Sequence, residues 1–92
     1  MAKRIRSVSY PYSMERVGGA LERALRETEW NVDAIERSEG TISAGKRGWI
    51  GYRTIKIVLE AREGETDVTF ELACKAGEFQ EMMTLFEATL AQ

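Results

Sequence analysis

A single α+β domain built on an antiparallel sheet is predicted by three features of the 92-residue chain. Apolar residues recur at every second position in two segments, Arg53 to Arg62 and Asp67 to Lys75, which are separated by the turn sequence Glu63-Gly64-Glu65. They recur at three- and four-residue spacing in two others, one beginning at Ser13 and one after Gly77. The links between successive strand-like runs are too short for crossover helices, so those strands run antiparallel. The predicted order is β-α-β-β-β-β-α, a curved four- to five-stranded sheet with both helices on one face. Each strand offers one apolar side and each helix one apolar stripe, and these cover one another. A chain of this length holds one core, so residues 1–92 are read as one domain without linker or repeat.

The elements follow in order. Lys3 to Tyr10 is rich in β-branched and aromatic types but alternates imperfectly; its charges and the following Pro11 predict an edge strand. Met14, Val17, Leu21, Ala24, Leu25 and Thr28 then predict an amphipathic helix with Ser13 as N-cap and Glu15 favourably placed in the first turn. Gly18-Gly19 interrupts that helix at a cost of roughly 1 kcal/mol per glycine against alanine. A close approach of the helix backbone to the sheet is the expected compensation, with a ligand at the backbone or a pliable joint as alternatives. Trp30 to Ala34 alternates, and a loss of phase over Ile35 to Arg37 predicts a bulge there. Glu39-Gly40 turns the chain into a short strand, Thr41 to Ala44. In the long hairpin, Ile55, Ile57, Leu59 and Ala61 share one face of the first arm and Val68, Phe70, Leu72 and Cys74 one face of the second. Glu60 and Glu71 are expected to face each other across its outer side, neutralised by Lys56 and Lys75 in solvated ion pairs. Phe79, Met82, Met83, Phe86 and Leu90 form the stripe of the closing helix.

This order and layering resemble a pared-down helix-grip fold in architecture. No family motif accompanies the resemblance, and a fold leaves function open.

Composition narrows function by exclusion. Thirteen Lys and Arg against 15 Asp and Glu give a net charge of −2, which disfavours a protein that wraps nucleic acid. With no histidine and one cysteine, the chain lacks the commonest general base, His/Cys zinc sites, His-activated nucleophiles and any internal disulfide. The carboxylates form no acid–base pair or EF-hand spacing. No enzyme, cofactor or metal site is therefore expected. The basic N-terminus is not followed by the apolar stretch of a signal peptide, and no run reaches the roughly 18 apolar residues of a membrane span. A lone thiol on the inward face suits a reducing compartment, and the expected location is cytoplasmic.

Two groups of residues are candidates for function. Lys46, Arg47, Trp49, Tyr52 and Arg53 concentrate cations and rings between glycines, a composition suited to a phosphate, a nucleotide or nucleic acid, or a lipid headgroup. The same residues also suit a crossover that closes one end of the core. On the last helix, Met83, Leu85, Phe86 and Leu90 exceed what one narrow face needs and are candidates for an interface. The leading expectation is a non-catalytic binding or assembly module, self-associating or acting as an accessory subunit to a protein partner. Its alternative is an anionic-ligand binder working through residues 46–53.

Overall fold

Both periodicities are realised in a computed structural model that describes residues 3–48 and 51–92. The elements are β1 (Arg4–Tyr10), α1 (Met14–Glu27), β2 (Asn31–Glu36), β3 (Thr41–Gly48), β4 (Gly51–Arg62), β5 (Glu65–Ala73) and α2 (Ala76–Leu90). The five strands form one open antiparallel sheet in the order β1-β5-β4-β3-β2. Register brings Ile42, Ile57 and Phe70 into one row and Ala44, Ile55 and Leu72 into the next. These side chains are buried together with the apolar stripes of both helices, which puts the core on one side of the sheet. No helix among the described residues is long and apolar enough to cross a membrane.

α1 begins where Ser13 Oγ accepts from the backbone N–H of Arg16 at 3.2 Å. Its Val17, Leu21, Ala24 and Leu25 are fully buried, each large side chain contributing on the order of 1.5–3 kcal/mol by burial. The helix ends in a Schellman arrangement. Trp30 N donates to Leu25 O at 2.8 Å and Glu29 N to Arg26 O at 3.1 Å, with Glu29 in the left-handed region at φ 67°. At the far end of the chain, Met82, Met83, Phe86 and Leu90 of α2 are buried. Phe79 and Phe86 meet Phe70 and Tyr10 edge to face, at 5.2 and 5.1 Å between ring centroids. Arg16 ties the two helices together by donating to Leu90 O at 2.7 Å and Gln92 O at 3.0 Å.

Three local expectations are corrected. β3 does not stop at Ala44 but runs to Gly48, pairing Lys46 with Arg53 and Arg47 with Tyr52. The bulge lies between Val32 and Ala34, at Asp33, because it is set by the hydrogen-bond register with β3 and not by where apolar alternation fades. On the outer face Glu60 lies opposite Asp67 and Glu71 opposite Lys56. Glu71 also pairs with Lys3 at 2.8 Å, and the hydrogen bond and charge of that ammonium hold its carboxyl below the usual range.

Candidate functional site

Strand alternation divides the basic segment. Lys46 and Arg53 face the helices, whereas Arg47 and Tyr52 face the open side, so the run is not one patch. Lys46 Nζ donates to Thr28 O at 2.9 Å and sits 5.2 Å from the centre of the Trp30 ring, a cation placed on the C-terminal end of α1. Arg53 Nε lies 2.8 Å from Glu78 Oε1 in a largely buried ion pair, and its guanidinium crosses the space that a Cβ on Gly48 would need. Tyr52 lies across Gly45 and donates from its hydroxyl to Asp33 Oδ2 at 2.9 Å. That hydrogen bond is the main reason its phenol is held above the usual range. Trp49 lies outside the described residues.

The interface candidates are corrected in part. Met83, Phe86 and Leu90 face inward and are core residues, because α2 lies against α1 and meets the sheet through Tyr10 and Phe70. Only Leu85 of the four is half-buried, packed on the edge of the core. Cys74 is buried, and burial, followed by the charge of Glu78, pushes its thiol up.

Exposed apolar surface is found instead on β1. Its burial is slight on both faces, with only Tyr10 buried. Ile5 on the open side is 66% exposed and Val8 on the helix side 39%, two of the three large apolar residues exposed among those described. Tyr10 anchors the strand through Phe86 and by donating to Glu87 Oε2 at 3.1 Å. Burial, then the charge and hydrogen bond of Glu87, raise its phenol well above the usual value. Arg4 donates to Cys74 O at 2.9 Å, while Arg6 is exposed. The imperfect alternation of Lys3 to Tyr10 was the available signal, since an edge strand with little burial on either side keeps no strict period.

A second region was marked in the sequence by Gly18-Gly19 but for a different reason. The expected close approach to the sheet does not occur, for a Cβ on either glycine would meet nothing within 4 Å. Both glycines instead line an open groove of about 510 Å³ between α1 and the sheet. Half-buried Met14 and Ile35 line it together with the nearly buried Ile42 and Leu59. Its acidic residues are Glu15, Glu22 and Glu36, against one cation, Arg37. Glu22 is paired with Arg26 at 3.1 Å, whereas Glu15 and Glu36 have no ion-pair partner among the described residues. The close approaches occur elsewhere, at Gly45, Gly48 and Gly40. At Gly40 φ is +67° and a Cβ would lie 2.5 Å from Leu59 O and 2.6 Å from Met14 Cε, so only glycine fits. Among the described residues no three carboxylates or thiols gather as a metal site. A smaller polar depression of about 290 Å³ lies on the open face beside Asp67, which is bonded to both Ser9 and Arg62.

No protein-family model matches the chain, and no curated protein matches it. Among solved structures it is similar to TTHA0849 from Thermus thermophilus, with 9% identity and a TM-score of 0.54 over 98% of this chain and 97% of that one. Chr148 from Cytophaga hutchinsonii has 15% identity and a TM-score of 0.37, covering 95% and 85%. The first likeness is one of fold alone.

Proposed function

We propose that this chain is a non-catalytic assembly module that self-associates by antiparallel pairing of β1 with β1 of a second copy. The observation that carries this reading is the state of that strand. Seven residues form a sheet edge with little cover on either face, and both of their large aliphatic side chains are exposed. Long edges of this kind template further pairing unless they are blunted. Charge placement supports a second copy as the occupant. Pairing centred on Ser7 sets Arg6 of one copy opposite Val8 of the other, and Arg4 opposite Tyr10, whose hydroxyl rests on the carboxylate of Glu87. This register sets no like charges opposite one another across the two-fold axis. The anionic-ligand reading of residues 46–53 has less support, because Lys46 and Arg53 are already engaged by Thr28, Trp30 and Glu78.

Sedimentation and native mass spectrometry of the purified chain test the proposal. A concentration-dependent dimer is expected. Val8→Lys sets a second cation against Arg6 and is expected to return the chain to monomer with its melting temperature nearly unchanged. A wild-type chain that stays monomeric as concentration rises, or a dimer that survives this substitution, refutes the β1 interface.

A further inference from the structure

We propose that the groove between α1 and the β2–β4 part of the sheet binds a small cationic amphiphile, an apolar body carrying an ammonium or guanidinium head. This site is separate from the β1 edge and does not depend on it.

The argument begins with Gly18 and Gly19. Two glycines inside a helix lower its stability, and within this chain nothing requires them, because alanine would fit at both without touching a neighbour. Their use is explained if the space beside them is occupied by something outside the chain. A bare backbone lets an apolar body lie directly against the helix, where even a methyl group would hold it away. The groove beside these glycines has the size of a small-molecule site, about 510 Å³. Its length from Met14 to Glu22 along α1 corresponds to about 12 Å of helix. Its apolar surface comes from Met14, Ile35, Ile42 and Leu59, of which methionine adapts to ligands of irregular shape.

Charge sets the class of ligand. Glu15 on α1 and Glu36, which ends β2 at the margin of the groove, have no ion-pair partner among the described residues, and Arg37 offsets only one of them. An anionic head meets a net negative rim, whereas a cationic head meets complementary charge. The sequence places the chain's cation excess elsewhere, in β1 and around residues 46–53.

Dodecyltrimethylammonium and dodecyl sulfate, each kept below its micelle concentration, are titrated into the chain and followed by amide chemical shifts and calorimetry. The cationic probe is expected to bind saturably at one site, with the largest shifts at Gly18, Gly19 and Gly40, and the sulfate to bind at least about tenfold more weakly. Gly18→Leu places a side chain in the groove and is expected to weaken the cationic probe at least about tenfold while the free chain melts no lower than wild type. The double substitution Glu15→Lys with Glu36→Lys, at surface positions, is expected to reverse the preference toward the sulfate. The proposal is overturned if the cationic probe fails to saturate, if both probes bind equally, or if the charge reversal leaves the preference intact. Concentration-dependent shifts of Gly18 and Gly19 without any probe would assign the groove to a second copy and overturn it as well.

Discussion

β2 and β1 both end the sheet, and each leaves one backbone edge without a neighbouring strand. β2 is only six residues long, carries a bulge at Asp33, and has that bulge fastened from β4 by the Tyr52 hydroxyl. A bulge is a recognised way of preventing a strand from pairing further. β1 has none. It is regular over seven residues in register with β5, and Tyr10 alone is buried. Its cations are partly consumed within the chain, Arg4 by Cys74 O and Lys3 by Glu71. The same sheet thus has one edge closed by irregularity and one left regular. The difference shows that protection of an edge lies in local backbone geometry as much as in composition, since each of the two strands carries two charged side chains.

The comparison is broken most severely at the anchor of β1. Tyr10→Ala removes the ring packed on Phe86 and is expected to cost about 3 kcal/mol in urea unfolding. A loss below 1 kcal/mol would mean that β1 is held by backbone pairing alone. A smaller effect is expected from pH. The phenol of Tyr10 is raised above its unfolded value of about 10, so the stability it contributes is complete below that pH. That contribution is lost as the solution is made more alkaline and the folded state must be ionised. Tyr10→Phe is expected to flatten the alkaline fall in melting temperature, and an unaltered fall would remove Tyr10 as its source. The smallest effect concerns β2. Tyr52→Phe leaves the exposed ring but deletes the hydroxyl bond to Asp33. Global stability is expected to stay near that of the wild type while amide exchange around Asp33 quickens. Unchanged exchange there would show that the bulge is set by β3 pairing alone.

Much of this architecture was legible because burial on one face writes a period into the chain. Ile55, Ile57 and Leu59 with Val68, Phe70 and Leu72 marked both arms of the hairpin and the face they share, and Ser13 marked the start of α1. What could not be read depends on which atoms meet across elements. Alternation shows that Lys46 and Arg47 point apart once both are known to be in a strand, but the glycines on either side made the segment read as a loop. Met83 and Phe86 looked in excess of a narrow face because the stripe of α2 meets both the sheet and α1, a width that one helix alone does not reveal. Gly18-Gly19 attracted notice for its cost, yet a sequence does not distinguish a glycine that admits a neighbouring backbone from one that lines an open groove. At Gly45 and Gly48 the close approach comes from Tyr52 and Arg53, several positions along and on the adjoining strand.

The pairing of β1 with β5 has a consequence for synthesis. β1 leaves the ribosome ahead of the other elements, yet its hydrogen-bonding partner is the last of the five strands to be made; Arg4 and the Cys74 carbonyl it binds are 70 residues apart. The β2–β5 meander pairs strand by strand as the chain lengthens, whereas β1 has no partner until β5 has emerged. For that interval the nascent chain carries Ile5 and Val8 on an unpaired strand. Neighbouring nascent chains on one messenger each present the same strand, so the homotypic encounter proposed for the mature protein is available before any single copy has closed its sheet.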